Sequence, residues 1–550
     1  MTADGDPGLA PARSWLVLVA VLPGIFVTLA DATVMSVAIP QIIRSMTASV
    51  ISVSWVMNGY NLVLIVLFLT MGRLADRHGH RLVFTLGLAV FTLASIGCAT
   101  AHTVQVLIAF RVVQAVGASA VVPASLALLM QAYPAHRQGF AAGLFGALSS
   151  AAAAFGPVLG GILVQRWDWP AIFWFNVPAG TLGVVLALTL VPRRRREAAD
   201  APLDWLGVAL SCAGLFCLTL AIIQGNEWGW ASTAILGLFA GAAVLLAVFV
   251  LWELRIPSPL FDLRHFRDRT FAAASAAIMT VDTAMMGAMF MLVIFMVAMM
   301  DYTELKAGLT IATLPLAGLI VAPFAGRLVD RVGARPLAVT GALLAAAGLV
   351  ALGHLSRIAG LEQVIWRSAL VGAGIGLSLP ALTAAGMGAL PEGVKGAGSG
   401  MLNTARQLGF LLGVAVLVAV FAHTMSAAMN EAADKGQAMT RAQSGLSQPV
   451  KDQIVEALDT ARTIDATAGM SEIRKIAHPI AAVIAPQVGF VEGIVLVQLK
   501  NELEFIFWDA VSAAFRWPFY TAAMAAGLGA AAGALLPGRR RRASRGAPPG

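Results

Sequence analysis

The sequence predicts an all-α protein that crosses a membrane many times, with two related six-helix halves and two extra helices between them. Three observations carry this. First, 59% of the 550 residues are hydrophobic and 12% charged, with a mean hydropathy of +0.81; soluble domains average roughly 45–50% and 25%. Second, fourteen runs approach the 20 or so apolar residues that a helix needs to cross a bilayer core. Third, the stretch Gly72-Arg73-Leu74-Ala75-Asp76-Arg77-His78-Gly79-His80-Arg81 returns as Gly326-Arg327-Leu328-Val329-Asp330-Arg331-Val332-Gly333-Ala334-Arg335. A repeated polar hairpin between oily runs is the mark of an internally duplicated bundle.

Taken in order, the runs lie at 15–40, 52–74, 82–101, 104–130, 138–164 and 171–191, after an acidic, Pro/Gly-containing N-terminal stretch (1–14). These six make the first half, 15–191. The first hairpin follows run 2, and the second follows run 10 where a plain six-plus-six duplication would put it after run 8. Runs 7 and 8 (204–225 and 232–252) are therefore inserted, and with their linkers occupy 192–269. Runs 9 to 13 (270–300, 305–328, 336–355, 363–389 and 397–424) fill 270–424. The segment 425–514 reads as one long outer loop, with an amphipathic stretch at Leu499–Trp508 suited to a membrane surface. Run 14 (515–536) and a basic tail (537–550) end the chain. Residues 480–499 could form a fifteenth span, but that would place the Arg-rich tail outside.

Charge sets the orientation. Arg73, Arg77, Arg81, Arg193 to Arg196, Arg264, Arg267, Arg327, Arg331, Arg335 and Arg539 to Arg542 all fall on alternate linkers and in the tail. Cationic linkers stay in the cytoplasm, so both termini are expected there. The net charge of +8 is thus a topology signal, and no nucleic-acid role is expected. No cleavable leader is expected at the start of the chain, and the excess of Arg over Lys with abundant Ala suggests a GC-rich bacterial genome, so a bacterial inner membrane is the expected location. Cys98, Cys212 and Cys217 sit in apolar runs and form neither a disulfide framework nor a zinc pattern. There is no G-x-x-x-x-G-K-[ST] loop, so no ATP site, cofactor or metal is expected, and an enzyme reading has no support.

Ionisable residues inside spans cost several kcal/mol and are functional candidates by default. Asp31 in run 1 and Arg111 in run 4 lie about nine and seven residues from the outer ends of their runs. At about 1.5 Å per residue they share a depth of about 10–14 Å, where opposite charges can pair. Such a pair is either structural or, with the aspartate poised by burial and a nearby cation, a proton site. Asp282 in run 9 has no basic partner in its own span. Met285, Met286 and Met289 beside it offer an adaptable wall, so it reads as a proton or cation site, or else as a packing aspartate bonded to Thr280 or Thr283. Asn58, Tyr60, Asn61 and Gln114 either line a substrate pocket or hydrogen-bond between helices. Gly156-Pro157 with Gly160-Gly161 in run 5 predicts a bend or a tight crossing.

These stretches together resemble the major facilitator superfamily, specifically its fourteen-span drug:proton antiporters of EmrB/QacA type. The carriers are Asp31-Ala32-Thr33-Val34-Met35-Ser36-Val37-Ala38-Ile39-Pro40, the hairpin Gly72–Arg81, and Arg111-Val112-Val113-Gln114-Ala115-Val116-Gly117. Gly156–Gly161, Phe173-Trp174-Phe175-Asn176-Val177-Pro178 and Gly400-Met401-Leu402-Asn403-Thr404-Ala405-Arg406-Gln407-Leu408-Gly409 complete the set. Ser36, His80, Ala115, Ala152 and Ala334 depart from the family's usual residues. The resemblance implies proton-gradient-driven export of small amphipathic, often cationic compounds by alternating access. In it Asp31 and Arg111 would couple protons. Gly72, Asp76, Arg77, Gly79 and Arg81, with Asp330 and Arg331 in the second copy, would form the cytoplasmic gate, Asp76 latching it with its arginines. Gly156, Pro157, Gly160 and Gly161 would form the antiporter motif. Membrane lipid is an expected neighbour, and the 425–514 segment could meet an envelope partner. The alternatives are export of one self-made metabolite or lipid, or a sensor or scaffold without transport.

Overall fold

The computed structural model describes residues 11–46, 50–134, 137–192, 204–257, 259–462 and 490–537. Their regular structure is helical. The first half holds α1 (Pro11–Met46), α2 (Val50–His78), α3 (His80–Ala99), α4 (Val104–Ala132), α5 (Gln138–Trp167) and α6 (Pro170–Leu190). The inserted pair is α7 (Trp205–Trp228) and α8 (Thr233–Glu253). The second half holds α9 (Arg269–Ala298), α10 (Glu304–Ile311), α11 (Thr313–Val332), α12 (Ala334–Gly353), α13 (Leu361–Gly388) and α14 (Lys395–Ala442). It closes with α15 (Gln448–Arg462) and α16 (Phe490–Ala534). Local chemistry sets several starts. Thr103, Asp204, Ser232 and Asp268 each accept a first-turn N–H, and Pro170 opens α6 where its missing donor costs nothing.

Thirteen spans among the described residues are long and apolar enough to cross a membrane, α10 and α11 together making one of them (Lys306–Val332). The run 515–536 forms the last part of α16, which packs against α9, α12 and α14. The duplication read from the hairpins extends to packing. α3 on α4, α3 on α6, α1 on α5 and α1 on α6 recur as α12 on α13, α12 on α16, α9 on α14 and α9 on α16. Glycines set matching crossings: a Cβ at Gly117 would strike Gly87, and one at Gly374 would strike Gly341. Both hairpins turn on a glycine in the left-handed region, Gly79 at φ 97° and Gly333 at φ 90°, which L side chains rarely adopt.

The segment 425–514 corrects the loop expectation. Where it is described it is helical: α14 continues unbroken to Ala442, α15 follows, and α16 enters run 14 without a break. At about 1.5 Å per residue, the 48 residues of α14 span about 72 Å, more than twice a hydrocarbon core of about 30 Å. The far part of α14, α15 and the near part of α16 form a small bundle at the end opposite the hairpins. Met425, Met429, Leu458, Leu503 and Phe507 are buried in it, and Gln437 Nε2 donates to Asp459 Oδ1 at 2.7 Å. Arg357 caps its base over the Trp508 ring at 4.2 Å. Residues 480–489 of the 480–499 run lie outside the described residues, and 490–499 open α16.

Candidate functional site

Among the described residues, two charge pairs and two gate contacts bring together the charged residues that the motifs mark. The first pair joins Asp31 on α1 to Arg111 on α4. Arg111 Nη1 donates to Asp31 Oδ2 and, at 2.7 Å, to Gln114 Oε1, while its Nε donates to the Val56 carbonyl at 3.1 Å. Arg111 and Gln114 are three residues apart and so share a helix face. Asn176 on α6 donates to Asp31 Oδ1 at 3.0 Å. Gln114 Nε2 donates to the Ser95 hydroxyl at 2.8 Å. The guanidinium lies 4.1 Å above the Tyr60 ring centroid. Asp31, Arg111, Gln114, Asn176 and Tyr60 are all 4% exposed or less. Two charges survive such burial only when partners fill their remaining hydrogen-bonding positions, and here they do. Tyr60 and Gln114 therefore belong to this network and do not line a cleft; the Tyr60 hydroxyl donates to the Thr28 carbonyl at 3.3 Å.

The second pair lies in the other half. Asp282 on α9 is 0% exposed, and Arg406 Nε on α14 stands 3.4 Å from its Oδ2. Neither Asp282 oxygen has a hydrogen-bond donor among the described residues. Thr280 and Thr283 are not the partners the packing alternative required, since their hydroxyls donate to the carbonyls of Ala276, Ala277 and Met279. Met285, Met286 and Met289 are half-buried nearby on α9. Asn61 on α2 accepts from Gln407 Nε2 at 3.3 Å, a bond between the halves, and Asn58 is half-buried one turn away.

The gate contacts are a matched pair at the hairpin end. Asp76 accepts the N–H groups of Gly396 and Ala397, each at 2.7 Å, in the first turn of α14. Asp330 accepts those of Gly139 and Phe140, at 2.9 and 3.1 Å, in the first turn of α5. Each carboxylate thereby fills orphan donors and meets the positive end of a helix from the opposite half. Gly72 allows this approach, because a Cβ there would strike the Gly396 carbonyl. The arginine latch expected from the resemblance needs correcting. The side chain beside Asp76 is His80, whose Nε2 lies 3.1 Å from Oδ1, while Arg81 donates to the Leu188 carbonyl on α6. Arg77 is half-buried and Arg331 exposed.

In α5, Gly156 and Gly160 press on Thr33 and Val34 of α1, where a Cβ would meet them, whereas Gly161 faces open space. The helix runs through Pro157 without interruption. Asn176, Arg406 and His80 were absent from the expected site. Each stands inside a quoted motif, but the motif does not say which distant side chain it meets.

The family pattern described as "Major Facilitator Superfamily" matches residues 21–414. The chain belongs to the major facilitator superfamily. Among its relatives, the multidrug resistance protein Stp of Mycobacterium tuberculosis is 33% identical over 482 residues, 87% of this chain and 88% of Stp. The tetracenomycin C resistance and export protein of Streptomyces glaucescens is 31% identical over 407 residues, 74% of this chain and 75% of that protein. Among solved structures, the human organic anion transporter MFSD10 superposes with a TM-score of 0.56 at 14% identity, over 75% of this chain and 94% of that one. That likeness speaks to the fold. Superfamily membership and these relatives make the chain a multi-pass membrane transporter of small molecules.

Proposed function

We propose that this transporter is a proton-coupled exporter of amphipathic compounds, an antiporter of the fourteen-span EmrB/QacA type. Its place is a bacterial cell membrane, with both termini and the hairpin end in the cytoplasm. The observation that supports it is the Asp31 carboxylate, sealed in the bundle and held by donors from α4 and α6. A proton on Asp31 removes the charge that Arg111, Gln114 and Asn176 converge on, so it loosens α1 from α4 and α6. Movement of α1 reaches the gate through packing: Thr33 lies against Gly156 of α5, and the first turn of α5 is the one that Asp330 holds. The cycle then runs by alternating access. Deprotonated Asp31 favours loading from the hairpin side, and protonation from the far side favours release. The membrane potential contributes about 2.3 kcal/mol per charge per 100 mV to proton entry.

The test is efflux from proteoliposomes under an imposed pH gradient, with Asp31→Asn against the native chain. The variant is expected to bind cargo yet lose gradient-driven efflux; efflux at the native rate sinks the proposal. The Streptomyces relative's name favours a second reading, export of a single compound, which a transport panel of unrelated dyes and antibiotics separates from the first.

A further inference from the structure

Both interior carboxylates are sealed, Asp31 at 1% and Asp282 at 0% exposure. Of the two ion pairs, only Arg406 keeps an open side, its side chain 23% exposed. The geometry of α14 says where that side looks. Gly409 and Gly413 mark the face against α9, since a Cβ at either would strike the Met279 or Thr283 carbonyl. Gly396, Gly400 and Gln407 mark the face against α2. At about 100° per residue, Arg406 falls in the wedge between these two faces, where the halves part. Its Nε is turned to Asp282 at 3.4 Å without forming a hydrogen bond. A guanidinium carries five donors in a planar fork, so engaging one edge leaves the other for a ligand.

We propose that Arg406 anchors cargo in the cleft by its outward edge, taking an anionic or strongly accepting group such as a carboxylate, sulfonate or phenolate. Asp282 sits behind it as a positioning residue that holds the fork in place. This deepens the export reading and rests on it, but it reverses the cationic cargo that the family resemblance implied. A cation entering the wedge meets the guanidinium before it can reach Asp282. An acceptor instead gains a charge-assisted, bidentate contact. Half-buried Met285 and Met289 offer an apolar wall for the rest of the molecule, and Asn61 with Gln407 adds neutral polar contacts.

Two xanthene dyes of similar shape and opposite charge test this: fluorescein as the anion and rhodamine 6G as the cation. Binding to the purified full-length protein is read by fluorescence anisotropy. Arg406→Gln is expected to weaken fluorescein by about tenfold or more, the loss of a charged hydrogen bond, and to leave rhodamine 6G unchanged or tighter, since the positive charge beside Asp282 is gone. Arg406→Lys is expected to recover part of the loss, because a point charge lacks the planar fork. Asp282→Asn is expected to weaken fluorescein less than Arg406→Gln does. Equal weakening of both dyes by Arg406→Gln, unchanged fluorescein affinity, or no fluorescein binding by the native protein each overturns the anchor. Gradient-driven efflux of fluorescein by native proteoliposomes is scored separately: fluorescein bound but not exported sinks the export reading and leaves the anchor standing.

Discussion

Asn176 shows how much of a buried charge's cost a neutral neighbour carries. Its amide is 4% exposed and donates at 3.0 Å to the Asp31 oxygen that Arg111 leaves free. Removing it strands part of a charge that has no route to water. Asn176→Ala is therefore expected to lower stability by about 1.5–3 kcal/mol, the range for hydrogen bonds to charged groups. A drop in Tm of the detergent-solubilised protein reports this, and an unchanged Tm shows that Asp31 has other support. The two aspartates differ in this respect. Asp31 has partners from two helices, while Asp282 has one loosely placed arginine. Asp31, Arg111 and Asp282 were legible in the sequence because a charge inside an apolar run announces itself. Asn176 and Arg406 were not, because a polar residue near its neighbours in sequence does not say which distant helix it faces.

The hairpin, not any single helix, is the unit that works at the gate. Each copy places its aspartate against the first turn of a helix from the other half, at the second and third residues of α14 and of α5 alike. Asp76 is 7% exposed while Asp330 is exposed, so the first latch is less screened by water and carries more energy. Spin labels at the exposed residues Leu82 and Leu328, in a background lacking the three native cysteines, read the separation of the halves at this end. Asp76→Asn is expected to shift the distance distribution outward more than Asp330→Asn. Equal or absent shifts deny the latch its role. The repeat, the inserted pair and most helix positions could be read from hydropathy and hairpin spacing. The outer bundle could not, because its core sets Gly436 against Leu503 across nearly seventy residues of chain. Such a long-range pairing leaves no periodic trace that separates it from an amphipathic loop.

At the scale of the whole molecule, the two halves meet along two seams, α2 on α14 and α5 on α11. The first runs from Gly72 at Gly396 up to Asn61 at Gln407, and the second from Gly139 at Gly326 up to Ser150 at Gly318. Both seams start at the hairpin end and rise toward mid-height, so this is a state closed on the hairpin side. Alternating access requires both to open once per cycle, and backbone-to-backbone glycine contacts suit surfaces that must part and rejoin, since they carry no interlocked side chains to disentangle. A covalent tie across one seam should then stop transport without harming the fold. A Cβ built on Gly318 lies 3.8 Å from the Ser150 Cβ, the mean separation found in disulfides. Ser150→Cys with Gly318→Cys, in the cysteine-free background, is expected to cross-link under mild oxidation, to lose efflux while oxidised, and to regain it on reduction. Full cross-linking with efflux at the native rate would mean that the halves need not separate at this seam, and the rocking cycle would have to be abandoned for one in which cargo passes by another route.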